Sequence, residues 1–220
     1  MGVDGTQITE LPDYCFYNCT GLRSNDSQTV PALSGMGDAI TTLGKYCFAG
    51  CNNNYFTDLS GLSDGLTTLG EDCFNGCSGL VTLKGLDELD RVEALPKNCF
   101  RGCTGLVYAC GGEGYSETYQ TYFQYALPVS LRTIGTGCFK DCPNLKHVGL
   151  SRYEHDSGQI TQLVSNADTI FDMTYNSALS QWETNIDDIW VSDSAAVPIY
   201  KADARWGVFA DRISYRPLSP

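Results

Sequence analysis

Apolar positions in this chain repeat in a fixed register, carried by one short phrase. Cys, Phe, two variable residues and Cys occur at residues 15–19, 47–51, 73–77, 99–103 and 138–142. Seven residues before the first Cys stands Ile8, Ile40, Leu66, Val92 or Leu131, and four before it Leu11, Leu43, Leu69, Leu95 or Ile134. Seven after it comes Leu22, Leu80, Leu106 or Leu145, with Asn54 breaking the second copy. Successive phrases are 32, 26, 26 and 39 residues apart, so the unit is 26 residues with insertions after the first and fourth copies.

A register of this length means a solenoid with one coil per unit. Apolar positions three and four apart around the Cys-Phe step predict a short helical turn. The stretch with Leu80, Leu83 and Leu86 carries Gly and Thr and lacks helical length, so it predicts a short strand and a turn. No coil of this size buries its own apolar face, and stacking supplies the core. Five coils of parallel strands about 4.8 Å apart make a ladder of roughly 25 Å.

Two copies, residues 69–80 (Leu-Gly-Glu-Asp-Cys-Phe-Asn-Gly-Cys-Ser-Gly-Leu) and 134–145 (Ile-Gly-Thr-Gly-Cys-Phe-Lys-Asp-Cys-Pro-Asn-Leu), resemble the BspA-like leucine-rich repeats. The resemblance covers residues 8–150 and departs from the family at the first Cys, where Ala is the commoner residue. It implies an α/β fold: a right-handed leucine-rich-repeat solenoid of about five repeats with short parallel strands, short helical turns and a C-terminal cap. It also implies bacterial surface proteins that attach to host proteins or other cells, and similar modules in phage or prophage tails.

The sequence divides into a solenoid over residues 1–150 and a degenerate last coil with a cap over residues 151–220. In the second part Ile186, Ile189, Trp190 and Val191 read as a last strand. Residues 195–200 start a helix, with Pro198 tolerated in its first turn. Trp206, Phe209 and Ile213 line one buried face. Residues 1–5 have neither a basic nor an apolar stretch and so do not form a signal peptide. No apolar run reaches the 18 residues of a membrane span. Because no polar cap precedes the first repeat, self-association or docking through the N-terminal end is expected.

Net charge is −12. A nucleic-acid partner needs a basic surface and is disfavoured. No cofactor-binding motif is present. The 11 Cys invite disulfide or zinc readings. The number is odd, and a bridge within one i, i+4 pair would close a tiny loop. Two adjacent pairs would satisfy a four-Cys zinc site. Yet every pair stands at a fixed offset from Phe and Leu, in a column where the resembling family holds apolar residues, so buried packing thiols are expected. Phe74, central in the array, is expected to be a core anchor.

What breaks the register is where function is expected. The insertion over residues 111–126 holds Tyr115, Tyr119, Tyr122, Phe123 and Tyr125 within 11 residues. Rigid amphipathic rings beside Ser, Thr and Gly have the chemistry of binding loops. These five residues are the expected partner-binding surface, the partner being a protein or a glycan. Cys110 lies outside the register and is the one candidate nucleophile, with His147 or His155 as base. No catalytic motif accompanies it. The expected function is therefore non-enzymatic attachment at an extracellular or cell surface, with a phage-tail structural protein and a Cys110 thiol enzyme as alternatives.

Overall fold

The computed structural model describes residues 8–22, 33, 36, 39–116, 121–151, 153–154 and 157–218, with the backbone alone at 112–116, 121–125 and 153. The chain is a solenoid held by two parallel ladders. One is built from two-residue strands immediately ahead of the Cys-Phe phrase. Strands β1 (Glu10–Leu11), β2 (Thr42–Leu43) and β3 (Thr68–Leu69) stack in register, as do β4 (Ala94–Leu95), β8 (Thr133–Ile134) and β12 (Gln162–Leu163). The second runs through the stretch expected to be extended. It starts as a bridge from Thr82 to Tyr108 and lengthens into β5 (Tyr108–Ala109), β9 (His147–Leu150), β15 (Asp188–Val191) and β16 (Ile213–Tyr215). Both ladders cross residue 150.

The Cys-Phe phrase is not helical, and the reason is where its N–H groups go. In the third coil, Cys73, Asn75 and Cys77 donate locally, to the carbonyls of Gly70, Asp72 and Phe74. The alternate groups, of Asp72, Phe74 and Gly76, donate instead to Lys97, Cys99 and Arg101 of the next coil. A helix would need every one of them internally. The residues flanking this zigzag are left-handed: Tyr46 and Gly50 have φ of 56° and 75°, and Asp72 and Gly76 have 58° and 73°. Gly is the low-cost residue for such a φ. The spacing that reads as a helical face is thus a chain of tight turns laid against the next coil.

Between the two thiols the Phe rings form one continuous stack. Phe16, Phe48, Phe74, Phe100, Phe139 and Phe171 follow each other at 5.1, 5.4, 5.5, 5.9 and 5.6 Å, with ring planes within 10° of parallel. Such pairs add about 0.5–1.5 kcal/mol each beyond the area they bury. Coils approach closely enough that a Cβ on Gly70 would lie 2.4 Å from the Gly44 backbone.

Phe171 belongs to a sixth coil inside the segment that reads as degenerate. Here the turn becomes a true helix, α1 (Ala167–Ile170), and Phe171 N–H bonds back to Ala167. Among the described residues no N–H of this turn is passed onward, and the first ladder ends at β12. Phe209 meets Phe171 edge-on at 88°, and Trp206 tilts against it. The cap that carries them comprises α2 (Val197–Ala202) and 3₁₀ turns over Trp206–Arg212. Thr161 is one of the points that pin it: Trp206 Nε1 donates to the Thr161 carbonyl at 2.7 Å, and Thr161 N–H donates to the Tyr200 hydroxyl at 3.0 Å. Three antiparallel hairpins leave the solenoid: β6 (Gly112–Ser116) with β7 (Thr121–Tyr125), β10 (Tyr153–Glu154) with β11 (Gln159–Ile160), and β13 (Met173–Asn176) with β14 (Gln181–Thr184).

The Phe stack gives a direct test. Phe74→Ala, in mid-stack, is expected to cost about 3–5 kcal/mol in urea unfolding. A loss below about 1 kcal/mol would contradict the ring column as the core, given that a typical domain holds only about 5–15 kcal/mol.

Candidate functional site

The cysteines pack. All 11 are free thiols, with Cys15 exposed, Cys19 half-buried and the other nine buried. The second Cys of the last four phrases has a defined bond: Cys51, Cys77, Cys103 and Cys142 donate Sγ–H to the Phe carbonyl of the preceding coil, Phe16, Phe48, Phe74 and Phe100, at 3.1–3.2 Å. This column thus ties coils together as well as filling space. Burial pushes the Cys73, Cys77, Cys99, Cys103 and Cys138 thiols well up, and those of Cys47 and Cys142 to about 12. Cys51 is the exception, drawn down by its contact with the Cys77 side chain. A thiol held protonated is a poor nucleophile and a poor metal ligand.

Cys110 is fully buried and directly follows β5, which pairs Tyr108 with His147 and Ala109 with Val148 of β9. His147 Nδ1 lies 3.0 Å from Asp188 Oδ1. Its ring stacks on Tyr108 at 4.6 Å and on Trp190 at 5.3 Å. Arg216 sits 4.0 Å over the Trp190 ring and 3.9 Å from Asp188. The sequence offered His147 as a base, whereas the structure sets it in an aromatic column on the outer face of the second ladder. Trp190 is fully buried there, and its indole N–H has no hydrogen-bond partner. His155 lies outside the described residues.

The Tyr-rich insertion forms the β6–β7 hairpin, leaving the solenoid just after Cys110 and returning at Leu127, whose N–H bonds to Gly149. Its register sets Tyr115 opposite Tyr122, Phe123 opposite Gly114 and Tyr125 opposite Gly112. Tyr119 lies outside the described residues.

The β13–β14 hairpin repeats the arrangement, with Tyr175 opposite Trp182. These rings meet edge-to-face at 5.2 Å and 64°, and both are exposed, Tyr175 at 51% and Trp182 at 36%. The turn is shaped by Asn176, whose side-chain oxygen accepts the N–H groups of Ala178 and Leu179. Two clefts flank this hairpin and share Met173. One of about 490 Å³ is lined by Lys140, Asp172, Glu183 and other polar residues; one of about 250 Å³ lies between Trp182 and Arg205. Sequence reasoning passed over this hairpin inside a polar stretch. Its available signal was the period-two alternation of Met173, Tyr175, Trp182 and Thr184 about an Asn-Ser turn. Among the described residues no helix is long and apolar enough to cross a membrane.

The family model described as the BspA type leucine rich repeat region matches residues 9–125 and 113–160, in six copies. Curated proteins include no match. Among solved structures, the chain is similar to a leucine-rich repeat protein of T. pallidum, at 23% identity and TM-score 0.46, covering 66% of this chain and 54% of that one. A leucine-rich cell surface protein of Faecalibacterium prausnitzii is similar at 15% identity and TM-score 0.40, covering 61% and 32%. A leucine-rich repeat protein of Bacteroides ovatus is similar at 14% identity and TM-score 0.37, covering 96% and 58%. The chain thus spans less than two thirds of each of these proteins.

The thiol columns make stability depend on alkaline pH. Unfolded thiols titrate near about 8.5, whereas folded Cys47 and Cys142 keep their protons to about 12. Between those values the unfolded chain binds fewer protons, so stability falls as pH rises. Under reducing conditions the urea midpoint is expected to be unaffected by these thiols up to about pH 8, then to lose about 1.4 kcal/mol per pH unit for each such thiol. A midpoint unchanged through about pH 10 would contradict this. In the native state a thiol reagent is expected to modify Cys15 and Cys19 ahead of all the others.

Proposed function

The chain belongs to the BspA-type leucine-rich repeat family, and on that premise we propose that it is a non-enzymatic binding module that holds a protein or glycan partner at a cell surface. The observation that carries this reading is the exposed Tyr175–Trp182 pair on a hairpin that projects from an otherwise parallel solenoid. The other two tryptophans, Trp190 and Trp206, are fully buried. A tryptophan left in solvent on a projecting element contributes little to folding and has the character of an interface anchor. Tyr115 and Tyr122 occupy the same opposed register in β6–β7. With Tyr119, Phe123 and Tyr125 they form the second part of the proposed surface.

The chemistry suits contact rather than turnover. Burial pushes the Cys73, Cys99 and Cys103 thiols well up, and the His147 ring lies against two other rings. A solenoid supplies a rigid frame from which hairpins project at fixed positions, so little order has to be imposed on binding.

The test is attachment of the purified chain to fixed cells, read against two paired variants, Tyr115→Ser with Tyr122→Ser and Tyr175→Ser with Trp182→Ser. Each pair is expected to weaken attachment at least about tenfold, a change of about 1.4 kcal/mol, with the thermal midpoint unchanged. Undiminished attachment in a folded chain carrying all four substitutions would overturn the proposal.

A further inference from the structure

We propose that the smaller cleft at the β13–β14 hairpin is a subsite for one uncharged sugar residue, a hexopyranose unit of a glycan. The inference rests on the binding role proposed above and names a ligand class for one of its two hairpins. A pyranose ring presents an apolar C–H face and an equator of hydroxyls. A site for it needs an aromatic platform on one side and uncommitted polar side chains on the other.

The cleft has both. It holds about 250 Å³, below the roughly 300–1,000 Å³ of sites for drug-sized ligands and of a scale for a single ring. Trp182 forms one wall, held by Tyr175 through an edge-to-face contact rather than a stacked one. Met173 is shared with the neighbouring cleft and gives an apolar floor. The lining also includes the polar side chains Asn166, Asp168 and Arg205, with Ala167, Ala204 and Val208 among them. Asn166 occupies the N-cap position of α1, yet its side chain makes no capping bond. Among the described residues, neither its side-chain amide nor the Asp168 carboxylate is engaged by another protein group. Arg205 gives one guanidinium nitrogen to the Leu163 carbonyl, which fixes the group, and its other N–H donors face no described acceptor.

That arrangement discriminates between ligands. An apolar peptide side chain seated here would strip water from the exposed Asn166 and half-buried Asp168 without replacing their hydrogen bonds. Sugar hydroxyls donate and accept, and satisfy both. Asp168 and Arg205 cancel in charge, and the chain as a whole carries −12, so an anionic sugar is disfavoured by the protein's field. The larger cleft across Met173 has Lys140, Asp172 and Glu183 but no ring, and so offers no stacking platform.

The experiment reads Trp182 directly, because Trp190 and Trp206 are fully buried and only Trp182 meets solvent. The probes are the methyl glycosides of glucose, galactose, mannose and N-acetylglucosamine, titrated into the millimolar range. At least one is expected to protect the exposed tryptophan from acrylamide quenching. Trp182→Ala abolishes the accessible emission and the binding, measured by calorimetry. Asp168→Asn, with Trp182 emission and thermal midpoint intact, weakens binding at least tenfold, and N-acetylneuraminic acid does not protect. If no glycoside protects Trp182 while Trp182→Ala still weakens attachment to cells stripped of glycans, the hairpin reads protein: the sugar inference falls and the binding role stands. If no glycoside binds and Trp182→Ala leaves attachment to intact and stripped cells unchanged, this inference and the hairpin's share of the binding role both fall.

Discussion

Everything in this fold depends on how the Cys-Phe turn divides its backbone N–H groups. Half close tight turns within the coil and half reach the carbonyls of the next coil. A buried N–H must have a partner, so a coil of this sequence is incomplete until its neighbour is in place. The Phe rings between the thiols sit in the same cross-section and stack only if that registry holds. The second thiol adds a further tie to the preceding coil. Backbone, ring and thiol thus impose one spacing, which is why the sequence can vary freely between coils but not at these positions.

A frame so uniform has few features of its own with which to select a partner. Distinctiveness enters where the repeat is interrupted, and here antiparallel hairpins break a parallel array. Each of the two aromatic hairpins sets one aromatic residue opposite another in its backbone register. The solenoid bears the structural load through its core, so these hairpins contribute little to it and are free to present groups that a core could not use. Asn166, Asp168 and Trp182 are of this kind: polar groups without internal partners beside a ring in solvent.

The architecture was legible because a repeat multiplies its own signal. Five copies of Cys, Phe and Leu at fixed offsets left little room for another fold, and the packing role of the cysteines followed from the same columns. The local conformation was less legible. Residues three and four apart look helical when one coil is considered alone, and the N–H groups that prevent the helix belong to bonds between coils. The strands at Thr42–Leu43 and Thr68–Leu69 are too short to carry a period. Phe171 was hidden because its coil replaces both Cys with other residues and inserts α1. The Tyr175–Trp182 pair was hidden by its polar neighbours, whereas the Tyr-rich hairpin announced itself by composition.

In the Cys-Phe turns, the backbone-to-backbone bonds between coils all point the same way, N–H toward the C-terminal neighbour. The array therefore has a head and a tail that differ chemically. At the tail, α1 turns its N–H groups inward and Trp206 and Phe209 cover the last ring. In the first described coil, Asp13, Cys15 and Tyr17 stand where Lys45, Cys47 and Ala49 accept bonds in the second, and among the described residues no donor is placed against their carbonyls. Any backbone laid against that face must offer N–H groups at alternate residues, so each turn selects its neighbour by polarity as well as by shape.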